Sequence, residues 1–237
     1  MKKVNSHTMK SVGVIGGVGP ETTAKFYLEV IFGCQQLNGL QRPSILIGSV
    51  PLVFEIERDL IASNTGIERY IPFLQDEARK LEKAGADFLV MPCNSLHVFV
   101  DEIRSAVSIP MVSIVEETIK YLKRNNISKV GLISTSATIV NQVYETKLTQ
   151  NNIGFVTPNE SQRERIDQII QRLVDGVHSD DDRNFLVEVA DKLSERGVSH
   201  VALACTDLQL LNPVSEKVVI FDTMKILADS TVSNILN

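Results

Sequence analysis

Short apolar runs alternate with longer stretches of helical periodicity along almost the whole chain. The run SVGVIGG (11–17) ends on glycine and is followed by a helical pattern from Pro20 or Glu21 to about Gln36. SILIGSV (44–50) is a second strand, and a charged amphipathic stretch over 66–84 closes on Gly85, a C-terminal cap residue. ADFLVMP (86–92) and IPMVSIV (109–115) predict two more strands, each leading into a helix, over about 94–106 and 115–125. The pattern then restarts. KVGLIST (129–135) enters a Ser/Thr loop, a helix covers 138–151, IGFVTP (153–158) is a strand, and helices follow over 160–175 and 180–197. SHVALAC (199–205) and VVIFDT (218–223) are the last strands, the second leading into a terminal helix.

Strands that alternate with helices in this way predict an α/β fold with mostly parallel sheets covered by helices. Strand 11–17 resembles strand 129–135 in position and character, and strand 86–92 resembles strand 199–205. Two similar α/β domains follow. Residues 1–115 plus 216–237 are assigned to the first, discontinuous domain and 116–215 to the second; no low-complexity linker separates them.

Composition narrows the function. Across 237 residues, 43% are hydrophobic and 22% charged, ordinary for a globular protein with a sizeable core. The net charge of −5 and the lack of a basic stripe argue against nucleic acid as a partner. No apolar run is long enough for a membrane span, and the N-terminal segment lacks the pattern of an export signal. A cytoplasmic location is therefore expected, with Cys34, Cys93 and Cys205 as free thiols. No histidine stands at ligand spacing from a cysteine, so no metal site is expected.

Two of the three cysteines occupy matching settings, FLVMPCNSLH (88–97) and VALACTDLQL (201–210). Both lie at the carboxyl end of a strand, where ligands bind in parallel α/β sheets. Both precede a predicted helix start, whose free N–H groups and dipole stabilise a thiolate. Asn94 and Ser95, and Thr206 and Asp207, are N-cap residue types that also offer hydrogen bonds. Facing one another across a cleft, two such segments would present a thiol to each face of one carbon, with donors to stabilise an enolate-like state. The alternative is that both are small buried apolar residues, as free cysteines usually are; Cys34, on a helix face, is assigned that role.

Other motifs are less specific. GVIGGVGPETT (13–23) matches neither a dinucleotide fingerprint nor a phosphate-binding Walker loop. Gly17 either lets the backbone approach a ligand closely or serves a tight turn of positive φ. Arg42, Arg58 and Arg163 are candidate cations for a substrate carboxylate, or solvated surface charges. His97 shares a helix face with Cys93 and either holds Cys93 or a substrate carboxylate, or is a satisfied helix histidine. His200 starts its strand about 16 Å from Cys205, at the wrong end.

MPCNSLH, ACTDL and IGGVGPETT, with IPMVSIVEETI and GLISTSATI between them, resemble the aspartate/glutamate racemase family, in its aspartate racemase branch. The resemblance implies racemisation of an amino acid without a cofactor, with Cys93 and Cys205 as the two acid/base groups. It also implies a small-molecule amino-acid substrate, an active site between two similar domains, and a homodimer. By the same resemblance Asn94, Ser95 and Thr206 contact the α-carboxylate and amino group, and Thr135 or Thr138 contributes from the Ser/Thr loop. The family's side-chain arginine corresponds to Arg58, in an altered VPLVFEIERDL setting, and its lysine to Arg163 only with a one-residue deletion. Aspartate, glutamate or a broader set of amino acids all remain open as substrates, as does an isomerase of the same fold acting on maleate. Relatives that decarboxylate malonates keep a single cysteine, which the presence of both argues against.

Overall fold

In the computed structural model of the protein, residues 9–37, 39, 41–53, 55–56 and 66–237 are described. Two four-stranded sheets share one topology. The first contains β1 (Val12–Gly16), β2 (Ile45–Ser49), β3 (Phe88–Val90) and β4 (Met111–Val112), in the order β2-β1-β3-β4. The second contains β5 (Lys129–Ile133), β6 (Gly154–Val156), β7 (His200–Leu203) and β8 (Val219–Asp222), in the order β6-β5-β7-β8. All strand pairs are parallel. In each half the chain enters at an inner strand, steps out to one edge, then crosses back, so the repeat expected from sequence is a repeat of topology.

The helices sort into layers by which strand face they cover. On β1, Val12 and Val14 face a core shared with Phe26 and Val30 of α1 (Pro20–Leu37), Ile119 and Leu122 of α4 (Ile114–Arg124), and Met224, Leu227 and Val232 of α9 (Thr223–Leu236). Val130 and Leu132 of β5 face the same core, so these helices lie between the two sheets and join them. Ile15 turns the opposite way, against Leu74, Ala78 and Leu81 of α2 (Ile71–Lys83). Ile133 likewise faces α7 (Glu160–Val174) and α8 (Asp180–Ser194) on the outside of the second sheet. This is the period-two alternation of a strand buried on both faces. Cys34 is fully buried in the central core, as expected.

Several predicted elements are shorter than their sequence patterns. The helix expected over 94–106 is a 3₁₀ turn at Ser95–Phe99 followed by α3 (Val100–Arg104). The helix expected over 138–151 is split into α5 (Ser136–Val140) and α6 (Glu145–Gln150), with Gln142 between them at φ 50°. The strand expected over 109–115 is reduced to Met111–Val112, because Pro110 has no N–H to pair and Ser113 already caps α4. No described helix is long and apolar enough to cross a membrane.

β8 pairs with β7, and the helix that follows returns to pack on α1 and α4. The approach of α9 to α1 is close: a Cβ on Gly33 would stand 2.8 Å from Val232 Cγ2. At the switch between β8 and α9, the Asp222 carboxylate caps the helix by accepting from the Met224 N–H at 2.8 Å. Burial, only partly offset by that bond, raises its pKa to about 6. The folded state therefore holds this proton more tightly than the unfolded chain, so the stability tied to Asp222 falls as pH rises from about 4 through about 6. Asp222→Asn keeps the cap and removes the charge. It is expected to stabilise the protein at pH 8 by about 1–3 kcal/mol, with the gain vanishing near pH 4. Melting curves of both proteins across that range test this, and a pH-independent difference would contradict it.

Candidate active site

The carboxyl ends of β1, β3, β5 and β7 converge, and the loops leaving them carry both matched cysteines. Cys93 follows β3 and is half-buried; Cys205 follows β7 and is buried. The thiols are close enough for Cys93 to add to the upward pKa shift of Cys205. That shift places Cys205 well above an ordinary thiol, first through burial and then through the nearby Asp207 carboxylate. The depression expected from a helix start is thus not found at Cys205. The segment after it is a 3₁₀ turn, Leu208–Leu211, and backbone hydrogen bonds from Asp207 and Leu208 offset only part of the burial.

The two cysteine loops are tied to each other and to the loops beside them. Thr206 donates its hydroxyl to the Pro92 carbonyl at 3.2 Å, linking the residue after one cysteine to the residue before the other. Asn94 is 2% exposed; its amide donates to Thr223 Oγ1 at 3.1 Å and its carbonyl accepts from the Tyr144 hydroxyl at 2.5 Å. Thr223 in turn donates to the Leu203 carbonyl, two residues before Cys205. Asn94 occupies an N-cap position without capping through its side chain, which reaches across the interface instead.

The residues two places after each cysteine reach in opposite directions. The Ser95 hydroxyl lies 3.1 Å from Thr135 Oγ1 and 3.0 Å from Thr138 Oγ1, which are 2.9 Å from each other. Asp207 accepts from the Thr22 hydroxyl at 2.6 Å. The Cys93 loop therefore grips the β5 loop, and the Cys205 loop grips the glycine loop after β1. Burial raises the Asp207 pKa, although the Thr22 bond works against that shift.

Gly17 has φ 82°, and a Cβ there would stand 2.5 Å from Ser49 Oγ and 2.9 Å from the Val50 nitrogen. Its N–H donates to Thr23 Oγ1 at 3.1 Å. The glycine is thus required by a positive-φ turn packed on β2, and its N–H is taken up within the loop. Thr22, Tyr144 and Thr223 were not singled out by any sequence signal, because each acts through a partner remote along the chain.

His97 proves to be the satisfied histidine. It is buried, with Nδ1 2.5 Å from the Cys93 carbonyl and Nε2 accepting from the Ile114 N–H at 3.2 Å. An accepting Nε2 makes Nδ1 the protonated nitrogen, which then donates to Cys93. Burial lowers the pKa to about 4, so the ring is neutral near pH 7.

The arginines separate. Arg42 is exposed and precedes β2, at the amino end of the parallel strands and opposite to the end that carries the cysteines, so it does not join the site. Arg58 lies outside the described residues. Arg163 sits half-buried in the first turn of α7. One turn later Asp167 accepts from the Ser136 N–H at 3.0 Å, so the helix face shared by Arg163 and Asp167 points toward the β5 loop. A groove of about 700 Å³, lined in part by Tyr121, Phe221 and Lys225, lies along α4, β8 and α9 and contains neither cysteine. Among the described residues, no cluster of His, Cys, Asp or Glu could hold a metal ion.

Two parallel four-stranded sheets of one topology, each flanked by helices, are the two-domain α/β fold of the racemases. The sequence profile of the Asp/Glu/hydantoin racemases matches residues 15–231, and the chain belongs to that family. It is 32% identical to the broad specificity amino-acid racemase RacX of Bacillus subtilis (strain 168) over 230 residues, 95% of this chain and 98% of that protein. A Yersinia pestis structure assigned to the Asp/Glu racemases is 31% identical, with a TM-score of 0.84 over 97% of this chain and 100% of the other. The structure of an aspartate racemase homologue from Pyrococcus horikoshii OT3 is 25% identical, with a TM-score of 0.79 over 97% and 100%. The chain is an amino-acid racemase of this two-sheet α/β fold.

His97→Ala removes two bonds that join the Cys93 loop to the start of α4. A loss of about 2–4 kcal/mol is expected, measurable by urea unfolding at pH 7. In the parent, the unfolded chain takes up the His97 proton near pH 6.5 and the folded state only near pH 4. The stability due to His97 is thus complete above pH 6.5 and is lost as pH falls toward 4, a slope that His97→Ala should lack.

Proposed function

We propose that the protein racemises amino acids by two-base proton transfer between Cys93 and Cys205, without a cofactor. The observation that carries this reading is the pair of matched strand-end thiols, on opposite sheets, joined through the Thr206–Pro92 bond. A two-base reaction begins with one thiol protonated and the other ionised. Burial and Asp207 keep Cys205 in the protonated form, so in the direction that starts from this state Cys93 is the base. The Cys93 thiolate takes the α-proton and becomes a thiol, and the C–H electron pair moves into the carboxylate as an enolate-like system. The Cys205 thiol delivers its proton to the opposite face of the carbon and becomes a thiolate. The two thiols have then exchanged roles, and the resulting state is the starting state for the other enantiomer.

Ser95, Thr135 and Thr138 are the donors assigned to the α-carboxylate. Their hydroxyls form a mutually bonded group beside the Cys93 loop that needs only to reorient its hydrogens to meet an anion. Asn94 has a second amide hydrogen besides the one given to Thr223, and Thr206 holds the two cysteine loops at fixed separation; both are assigned to the substrate's α-groups. Arg163, one turn before the Asp167 that bonds to the β5 loop, is the described cation assigned to an acidic side chain, with Arg58 as the second candidate. Aspartate or glutamate is the reading that these cations favour, while the resemblance to a broad specificity relative supports a wider range.

In D₂O, both enantiomers of a substrate are expected to gain α-deuterium, monitored by loss of the α-proton signal. Cys93→Ser and Cys205→Ser should each lower the racemisation rate by at least about 10²-fold, the scale of a general acid/base contribution. Racemisation that survives in the double variant would end the two-thiol reading.

A further inference from the structure

The groove of about 700 Å³ between α4 and α9, where β8 ends, has a volume in the range of small-molecule sites. None of the residues assigned to proton transfer lines it. Glu117, Lys120, Tyr121 and Arg124 form one wall, and their spacing puts them on a single face of α4. Phe221 and Asp222 at the end of β8, with Lys225 and Asp229 on α9, form the other. The rings of Tyr121 and Phe221 meet with centroids 5.1 Å apart, so the two walls share an aromatic surface. The charged side chains are three of each sign, and four of them neutralise one another in place. Lys120 pairs with Glu117 at 2.6 Å, and Lys225 pairs with Asp229. Arg124 and Asp222 are left over. Arg124 takes part in no ion pair or side-chain hydrogen bond among the described residues. The Asp222 carboxylate accepts backbone N–H groups at the start of α9, and Lys25 acts on it through space without forming an ion pair.

We propose that this groove is a second binding site, for a short peptide with free termini and an aromatic side chain. The peptide's ammonium meets Asp222, its carboxylate meets Arg124, and its ring lies on the Tyr121–Phe221 surface. A guanidinium holds a carboxylate with two parallel N–H···O bonds, and an ammonium beside a carboxylate is held further by nearby ring faces. A simple anion would satisfy Arg124 and be repelled by Asp222; a simple cation would meet the reverse. A zwitterion satisfies both, which matches a lining whose charges otherwise cancel. The spacing selects a peptide over a free amino acid. In an amino acid both charges sit on one carbon, whereas here they stand on opposite walls. Asp222 adjoins Phe221 on β8, and Arg124 lies three residues past Tyr121, close to one turn along α4. Each residue added to a peptide separates its termini by a further 3.3–3.6 Å or so when extended.

The test is calorimetric titration of the full chain with L-alanyl-L-phenylalanine, its N-acetyl form, which lacks the ammonium, and its C-terminal amide, which lacks the carboxylate. At pH 7 a carboxyl of pKa about 6 is ionised, as Asp222 must be, and a peptide α-amine is still largely protonated. The free dipeptide should bind at least about 10-fold more tightly than either capped form, the scale of a hydrogen bond to a charged group. Two groove variants then assign each end. Arg124→Met should bind the free dipeptide and its amide equally while still preferring both to the N-acetyl form. Asp222→Asn, which keeps the helix cap, should bind the free and N-acetyl forms equally while still discriminating against the amide. Ratios that stay unchanged in both variants would place the dipeptide elsewhere, the cysteine cleft included, and overturn the proposal. Capped forms that bind as well as the free one would also overturn it. So would the absence of saturable binding of the free dipeptide up to about 10 mM. If none of the three binds and Arg124→Met changes the sedimentation coefficient of the protein, the groove belongs to a second copy of the chain instead.

Discussion

The hydrogen bond from the Thr206 hydroxyl to the Pro92 carbonyl holds the structure's two halves at the place where its chemistry gathers. It joins the loop after β7 to the loop after β3, and its neighbours repeat the same logic with different atoms. The residue after Cys93, Asn94, is tied through Thr223 to the Leu203 carbonyl, close before Cys205. Two residues after each cysteine, Ser95 holds the β5 loop and Asp207 holds the β1 loop. Each half thus closes over the other's first loop, an approximate twofold relation that follows from using one strand order twice. A reaction that must reach both faces of one carbon needs that relation more than it needs any particular residue.

Holding the halves this way has an electrostatic consequence. The central helices α1, α4 and α9 pack both sheets into one core, and the loops at its rim are correspondingly dry. Burial therefore governs the titrating groups there: it raises Cys205, Asp207 and Asp222 and lowers His97. Desolvation favours the neutral form of each whatever its sign. His97 shows what a neutral group gains, since its uncharged ring can donate to the Cys93 carbonyl and accept from the Ile114 N–H at once. Cys205 shows the cost to an acid: burial and the Asp207 carboxylate hold its thiol protonated, so the proposed proton transfer would have to draw a proton from it in surroundings that resist charge.

The sheets were legible because strands buried on both faces are written as unbroken apolar runs, and VGVIG and KVGLI could hardly be read otherwise. The cysteines were legible because their settings repeat. What failed were elements whose length depends on contacts outside the segment. The segment after Cys93 has helical periodicity, yet its first turn is drawn into a 3₁₀ turn while Asn94 bonds across the interface. The helix dipole expected to ionise both thiols was an inference from a local pattern, and at Cys205 burial outweighed it. Thr22, Tyr144 and Thr223 carried no signal, since a hydroxyl becomes part of a site only through a partner that folding brings to it.

The same asymmetry explains why reaction type and substrate identity come from different parts of the chain. In the two-thiol reading, proton transfer at an α-carbon is specified by groups common to all amino acids, and those groups meet the central loops, which are bound to one another. The cation proposed for an acidic side chain stands apart from that centre: Arg163 lies in the first turn of α7, and none of the bonds that join the cysteine loops passes through it. A guanidinium there suits an acid. Its exchange would then alter which side chains are accepted while leaving intact the cross-linked centre to which proton transfer is assigned.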